Sequence, residues 1–508
     1  MAMTSSGFSR ALGVGKMAKQ PFDLVVRGGM AVLPTGVVQA DLGITGETIT
    51  SIGQNLDPGQ CEIDASDLFV LPGGIDPHCH IEQLSGGGIM NADTFETATR
   101  SAAFGGTTSV ISFAAQHREM NLVDVVRDYS ERAKKGALID YAFHLMIANP
   151  DRQTIENDLP AMIREGHRSV KVFMTYDKVQ VNDEQLLDIL ITARQNGALV
   201  CVHAENHGLL KWMGDRLVAR GYTAPHFHAV SHPRTAEIEA IYRVIAFAEF
   251  IDQPVMIFHV STAEGAAIIR QARGRGVKVF AETCPHYLLQ TAEDLLLPGY
   301  EAARLICSPP QRRKSDHDAL WQALELGDLQ IISSDHAPYR MDETGKFNAS
   351  KTPHFKQIAN GMPGLEMRLP LLFDVMVSRA PDHQKHDQLM KFVEWTSSGP
   401  AMIYDLARKG SLAIGADADI VLWDPKCEVT LTDELHDNTG YNPYCGRQIK
   451  GWPKLVVQRG SILIENGTMH ARPGQGRLML RAAGASTQPT GRLAPEFEPS
   501  LNFGADLS

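Results

Sequence analysis

The sequence predicts an α/β protein built on a (β/α)8 TIM barrel, with a small β-sandwich domain formed by both ends of the chain. Three observations support this prediction. Short apolar segments alternate with helical patterns along the middle of the chain, β-hairpin patterns occupy its two flanks, and histidine and aspartate recur where the apolar segments end. The last point bears on function, because barrel enzymes carry their active sites at the carboxyl ends of the strands.

Eight apolar segments have the length and composition of buried parallel strands. They are residues 68–75, 107–113, 141–147, 169–176, 198–203, 254–260, 277–281 and 329–334. Helical patterns separate them, as in residues 234–250, where Ile238, Ile241 and Ile245 lie on one stripe. Eight such alternations favour a closed barrel over an open sheet.

Alternating segments punctuated by Gly, Pro and Asn flank this region and are typical of β-hairpins, for example residues 47–53 and 454–464. We therefore predict that residues 22–70 and 405–472 form the β-sandwich domain and that residues 71–404 form the barrel. The C-terminal segment has no clear apolar face, and the first sixteen residues are rich in Ser and Gly without any acid, which would fit a transit peptide or a disordered leader. Residues 1–21 are predicted to be a disordered leader and residues 473–508 an extended C-terminal arm.

Composition excludes several classes of function. With 44% hydrophobic and 21% charged residues the chain can bury a full core, and no apolar run approaches the roughly 18 residues of a membrane span. The formal charge of -11 argues against nucleic acid or an anionic membrane as partner. Seven cysteines without paired spacing indicate reduced thiols and a cytoplasmic protein.

A histidine pair follows the first predicted strand in Gly73-Gly-Ile-Asp-Pro-His78-Cys-His80. One intervening residue in an extended segment directs both imidazoles to the same side, so one metal ion could bind both. A lone pair of this kind is more often structural. The metal-binding interpretation of this pair is supported by the polar residues that end the other predicted strands.

Lys171 lies in an otherwise apolar strand, where a charged ammonium without a partner is costly. Either an acid pairs with it, or it lies at the mouth of the strand, or its neutral amine reacts with carbon dioxide to form a carbamate that bridges two metals. His203 and His259 each end a further strand, and Asp335 ends the eighth. Alone, each has an ordinary alternative, as a core or rim histidine or as a helix N-cap.

From Phe22 to about Arg481 the sequence resembles the amidohydrolase superfamily, and within it the hydantoinase/dihydropyrimidinase family. The resemblance rests on seven motifs in the family's order. They are Gly-Gly-Ile-Asp-Pro-His-Cys-His, Ser-Val-Lys-Val-Phe-Met-Thr-Tyr, Val-His-Ala-Glu-Asn, Phe-His-Val-Ser-Thr, Glu-Thr-Cys-Pro-His-Tyr, Cys-Ser-Pro-Pro and Ser-Ser-Asp-His-Ala-Pro.

The resemblance implies hydrolysis of a C–N bond in a cyclic amide by a hydroxide held between two divalent metal ions. Zinc suits such ligands best, and manganese or cobalt would share them. One metal is expected on His78, His80 and Asp335, and the other on His203 and His259. Carbamylated Lys171 (N6-carboxylysine) is expected to bridge the two.

The resemblance also implies the remaining roles. Asp335 is expected to act as general base and then general acid, and Tyr176 to donate its hydroxyl to the oxyanion. Backbone groups of Ser308 and Asn360 are expected to hold the ureide or imide edge of the substrate. A homotetramer, or a homodimer, is the expected assembly, with a small cyclic amide as the only other partner.

The sequence departs from this family at several points. Gln180 stands where relatives often have an aromatic pocket residue, which predicts a preference for compact or polar substrates. The glycine-rich segment 81–90 is predicted to be a mobile gate, and His286 lies in an allantoinase-like motif. An imidase or allantoinase is therefore the nearest alternative. A non-catalytic scaffolding relative is disfavoured, because all six ligand positions are filled.

Overall fold

The computed structural model describes residues 20–507 of the 508-residue chain. Most of the predicted leader, residues 1–19, therefore lies outside the described residues. The described chain begins with five strands: β1 (Phe22–Leu33), β2 (Gly36–Thr45), β3 (Thr48–Gly53), β4 (Gly59–Asp64) and β5 (Phe69–Pro72).

The next eight strands form one parallel sheet in the order of the sequence. They are β6 (Gly74–Asp76), β7 (Thr107–Ala115), β8 (Asp140–Met146), β9 (Ser169–Phe173), β10 (Leu199–His203), β11 (Val255–Ile257), β12 (Val279–Thr283) and β13 (Ile331–Ile332). Just beyond β6 and β13, a parallel bridge joins Cys79 to His336, and His80 N donates to His336 O at 2.6 Å. This contact brings the first and last strands together, and the predicted barrel is confirmed.

The last strands are β14 (Ile420–Thr430), β15 (Gln448–Gln458), β16 (Ser461–Glu465) and β17 (Thr468–Met469), and they join the first five in one sheet through antiparallel pairing of β14 with β5. The resulting nine-stranded sheet has the order β17-β16-β15-β14-β5-β1-β2-β3, with β4 beside β1. It encloses a separate apolar core that includes Leu42 and Ile44 of β2 and Ile420 and Leu422 of β14. Both chain ends thus build one satellite domain beside the barrel.

Among the described residues, ten α-helices lie before the last barrel strand, and three more lie between it and β14. The α-helices are α1 (Phe95–Phe104), α2 (Leu122–Gly136), α3 (Leu159–Glu165), α4 (Asp183–Asn196), α5 (His207–Ala219), α6 (Phe227–Ser231), α7 (Arg234–Ile251), α8 (Ala263–Gly274), α9 (Pro285–Leu289), α10 (Lys314–Glu325), α11 (Arg368–Phe373), α12 (Lys385–Val393) and α13 (Gly399–Ile403). Several begin at a side-chain cap, as α4 does at Asn182, which exchanges hydrogen bonds with Gln185. No helix within residues 20–507 is long and apolar enough to cross a membrane.

Short 3₁₀ and π segments complete the helical structure. The π segments are Thr154–Asp158, Asp374–Ser378 and Glu394–Ser398, and the 3₁₀ segments are Ala292–Leu295, Glu301–Leu305, Phe355–Gln357, Asp382–Gln384, Ala485–Thr487 and Pro495–Phe497. The chain after β17 runs along the barrel, where Met479 N donates to Tyr141 O at 2.7 Å. The buried Arg481 guanidinium donates to Phe143 O and Ser169 Oγ, both at 3.1 Å. The C-terminal segment is therefore attached to the barrel wall.

Candidate metal centre

One cavity of about 290 Å³ opens at the carboxyl ends of the barrel strands. All nine residues predicted for the site line it: His78, His80, Lys171, Tyr176, His203, Ser308, His259, Asp335 and Asn360. Lys171 lies within β9 and His203 ends β10, whereas the other candidates follow a strand or lie in a connecting loop. The barrel thus gathers residues spread over nearly 300 positions of sequence around one space.

The first cluster consists of His78, His80 and Asp335. The Nε2 atoms of His78 and His80 lie 3.1 and 3.5 Å from Asp335 Oδ1. One ligand atom from each residue falls within 4.8 Å of the others, which suits a single metal ion. The opposite ring nitrogens are already engaged, because His78 Nδ1 contacts Glu282 and His80 Nδ1 lies 2.7 Å from Gln83 Oε1. Each imidazole therefore directs its second nitrogen into the cavity.

The second cluster is the pair His203 and His259. His259 Nε2 faces His203 Nδ1 at 2.9 Å, while His203 Nε2 lies 2.9 Å from Glu205 Oε2. The other carboxylate oxygen of Glu205 lies 2.9 Å from His232 Nδ1. A carboxylate behind an imidazole fixes the orientation and tautomer of a metal ligand, and Glu205 stands in that position.

Burial favours the neutral form of these imidazoles. The pKa of His78 and that of His259 are held well below the usual 6.5, first by desolvation and then by neighbouring cationic groups. Desolvation also lowers the pKa of His203, although Glu205 opposes it. A neutral imidazole retains the lone pair that a metal ion requires.

Lys171 lies between the two clusters without an acidic partner at its amine. Its side chain is fully buried, and Nζ has no hydrogen-bond partner in the described structure. Nζ lies 4.0 Å from the ring centre of Phe258 and 4.7 Å from that of Phe173. Desolvation lowers its pKa to about 8, so the neutral amine is accessible near neutral pH. A buried amine without a hydrogen-bond partner, among candidate metal ligands, fits the expected carbamate.

Three candidate residues hold a left-handed backbone conformation. The φ angles are +75° at Tyr176, +42° at His259 and +50° at Asp335. For residues with a side chain this conformation costs about 1 to 3 kcal/mol each and persists where the surroundings impose it, often at functional sites. The strain redirects these side chains just beyond the ends of their strands.

Tyr176 faces Ser308 and Asn360 across the cavity. Burial raises the pKa of the Tyr176 hydroxyl well above 10, the Glu205 charge adds to this rise, and Ser308 and Asn360 oppose it. The Ser308 Oγ has no partner at hydrogen-bond distance among the described residues, so it is a neighbour of the phenol and not its bonded acceptor. Tyr176 therefore keeps its proton and can act as a donor at neutral pH.

Two specificity predictions depend on side-chain direction. Gln180 does not line the cavity that holds the candidate metal ligands but a separate cavity, together with Asn182 and Arg243. The prediction that Gln180 shapes the substrate pocket is therefore wrong, because the turn after Tyr176 directs it away. Val179 lines the metal-site cavity instead.

The glycine-rich segment does reach the cavity, whose wall includes Gly86, Gly87 and Ile89. Its role as a mobile gate stays a prediction. His286 is buried outside the cavity lining, and burial lowers its pKa to about 4. His286 therefore does not contact the space in which a substrate would bind.

Sequence reasoning missed the residues that hold the ligands in place. Glu205 and Glu282 stand inside the quoted motifs Val-His-Ala-Glu-Asn and Glu-Thr-Cys-Pro-His-Tyr. A buried acid within a strand-end motif was the available signal for both. Asp76 was also within a motif, and it accepts from His78 N and Ser334 N, both at 3.2 Å. It thereby ties together the segments that follow β6 and β13.

The barrel, its satellite sheet and the histidine and aspartate clusters at the strand ends point to a hydrolase of the amidohydrolase type. Residues 69–463 match the model of the Amidohydrolase family, and the chain belongs to that family. It is 38% identical over 462 residues to the D-hydantoinase of Ralstonia pickettii, covering 90% of this chain and 99% of that protein. It is likewise 38% identical to the D-hydantoinase of Rhizobium radiobacter over the same shares of each chain.

Comparison with solved structures supports the same family. The crystal structure of dihydropyrimidinase from Brevibacillus agri superposes with a TM-score of 0.86 at 37% identity, covering 91% of this chain and 99% of that one. L-hydantoinase (dihydropyrimidinase) from Arthrobacter aurescens, at 24% identity, gives a TM-score of 0.78 and shares the fold.

Proposed function

We propose that this protein hydrolyses a C–N bond in a cyclic amide, such as a hydantoin, a dihydropyrimidine or a related cyclic ureide or imide. The product is an N-carbamoyl amino acid or a half-amide. One observation carries the proposal: two sets of inward-facing ligand atoms, an orphaned lysine and a protonated tyrosine line a single cavity. Full-length similarity to D-hydantoinases supports the same chemistry.

The donor set fits two divalent metal ions. His78, His80 and Asp335 would hold one, and His203 and His259 the other, with zinc the best match and manganese or cobalt alternatives. When bound, such ions would lower the pKa of water and so supply a nucleophile at neutral pH. The side chains of Glu205, Glu282 and Gln83 contact the opposite ring nitrogens of these imidazoles and fix the orientation of the rings.

Lys171 is proposed to carry the bridging ligand as N6-carboxylysine. Its neutral Nζ attacks the carbon of carbon dioxide, a C–N bond forms as one C–O π bond breaks, and one proton leaves Nζ, which converts a neutral amine into an anionic oxygen donor. The surrounding Phe113, Phe173 and Phe258 rings exclude water from the amine. Lys171→Ala should reduce the metal content well below two ions per chain, as elemental analysis after dialysis would measure. Two retained ions would contradict the bridge.

Asp335 is proposed to take the proton of the attacking water and deliver it to the leaving ring nitrogen. Tyr176 donates its hydroxyl hydrogen to the carbonyl oxygen as that oxygen becomes negative, a contact that is strongest in the transition state. Backbone groups of Ser308 and Asn360 hold the planar ureide or imide edge. These two loops lie beside Tyr176, so one substrate ring can meet all three.

A turnover panel tests the function. Hydantoin, dihydrouracil, allantoin, succinimide and glutarimide are offered to the metal-loaded enzyme, with Asp335→Asn as the inactive control. We expect turnover of hydantoin or dihydrouracil. Exclusive turnover of succinimide and glutarimide would indicate an imidase, and exclusive turnover of allantoin an allantoinase. No turnover together with no bound metal would favour the scaffolding alternative.

Assembly and compartment are proposed on separate grounds. Large apolar side chains are exposed on and beside α5 to α7, including Trp212 (54% exposed), Tyr222 (48%) and Tyr242 (65%). Such a surface supports a homotetramer or homodimer. Sedimentation velocity would measure the oligomeric state directly.

All seven cysteines are unpaired, which supports a cytoplasmic location.

A further inference from the structure

Lys346 is a fully buried lysine that the proposed chemistry does not use. Its Nζ donates to three backbone carbonyls, those of Ile306 at 3.0 Å, Ala359 at 2.8 Å and Gly361 at 2.6 Å. Three acceptors use all three donors of an ammonium group. Burial lowers its pKa to about 7, opposed by the nearby Cys307 thiol. The three carbonyl contacts favour the charged form, whose burial would otherwise be costly.

The three carbonyls belong to the two loops that border the substrate space. Ile306 lies two residues before Ser308, and Ala359 and Gly361 flank Asn360. The loops also meet directly, because Gly361 N donates to Ile306 O at 2.9 Å. Lys346 therefore sits at the junction of the two peptide segments that face Tyr176.

Gly361 shows how tightly this junction is built. Its φ is +148°, and a Cβ there would lie 2.4 Å from Ala337 O. The loop backbone therefore passes close to the segment that follows β13, where a larger residue would clash. On its other side, Lys346 contacts two of the loop's carbonyls.

A compact turn presents Lys346 to these carbonyls. Lys346 N donates to Arg340 O at 2.8 Å, and Phe347 N donates to Asp342 O at 2.9 Å. The next side chain, Phe347, packs against the apolar cluster that contains Ile306. A lysine suits this place because three carbonyls converge on one nitrogen atom, and an ammonium nitrogen carries three hydrogens, whereas no single nitrogen of a planar guanidinium carries more than two.

We propose that Lys346 is a positioning residue that sets the spacing between the Ser308 and Asn360 segments, and through them the fit of the cyclic amide beneath Tyr176. The proposal rests on the function proposed above. A displacement of about 1 Å at such a segment can lower kcat/KM about 10²-fold.

Lys346→Met tests this, because methionine keeps the aliphatic stem and removes the three donors. The matched control is Lys351→Met, which changes an exposed lysine five residues further along. Steady-state kinetics, metal content and hydrogen–deuterium exchange are measured for both variants. We expect Lys346→Met to retain its metals, to show faster exchange in peptides spanning 304–309 and 357–363, and to lose about 10²-fold in kcat/KM with at least a tenfold rise in KM.

Kinetics and local exchange equal to those of Lys351→Met would overturn the proposal. So would a lower kcat in the folded variant with KM unchanged and with no faster exchange in the two peptides. The exchange measurement needs no turnover. It therefore tests Lys346 even if the wild type hydrolyses no member of the panel, an outcome that would refute the proposed function separately.

Lys346→Arg covers the case in which the methionine variant does not fold. It keeps a positive charge but cannot direct donors to three converging carbonyls. We expect a raised KM and faster exchange in the same two peptides. Wild-type values of both in this variant would show that the three-carbonyl contact does not set the loops.

Discussion

Glu205 offers a sharp test of the second metal position, because it supports His203 without lining the cavity. Its fully buried carboxylate lies 2.9 Å from both His203 Nε2 and His232 Nδ1. In Glu205→Gln the side chain keeps its shape and one acceptor oxygen but loses its charge. A charge-assisted hydrogen bond contributes about 1.5 to 3 kcal/mol and a neutral one about 0.5 to 1.5 kcal/mol. The expected loss at His203 is therefore about 1 to 1.5 kcal/mol.

That energy corresponds to about tenfold weaker metal binding at one of the two positions. The assay is a zinc titration of the metal-free protein against a competing chelator, fitted to two sites. Glu184→Gln, at the exposed start of α4, is the matched control. If both dissociation constants in Glu205→Gln equal those of the control, His203 does not depend on Glu205 and the reasoning fails.

Three further predictions follow from other parts of the structure. Tyr176→Phe should lower kcat about 10²-fold or more with little change in KM, because the lost hydroxyl donor acts chiefly in the transition state. An unchanged kcat with a raised KM would instead make Tyr176 a substrate-binding residue. Burial lowers the pKa of His167 to about 4 from 6.5, so only the unfolded state binds this proton as pH falls from 6.5 toward 4, and folding stability drops. At pH 5 the loss is about 2 kcal/mol, and His167→Gln should remove that share of the pH dependence in urea unfolding; an identical pH slope would contradict it. Gln180→Phe should change kcat/KM for hydantoin and for phenylhydantoin by less than about threefold, since residue 180 lines a different cavity. A tenfold change in kcat/KM for either substrate would place residue 180 in the substrate pocket.

The sequence by itself determined the barrel and the membership of the candidate site. In a parallel barrel, chain order fixes strand order, and every strand has its carboxyl end at the same face. A histidine or aspartate at the end of an apolar segment must therefore come near the others, as His78, His203 and Asp335 do. The residues that surround the site could therefore be predicted from the sequence before any contact between them was known.

Only the tertiary structure decided how those residues face one another. Side-chain direction follows a period of two within a strand, but that rule ends where the strand ends. Gln180 turned away from the substrate space for this reason, and the strained backbone at Tyr176, His259 and Asp335 has no sequence pattern. The supports also join distant positions, as Glu282 does with His78 and Lys346 with Ile306. Such contacts depend on loop conformation and packing, which local sequence does not specify.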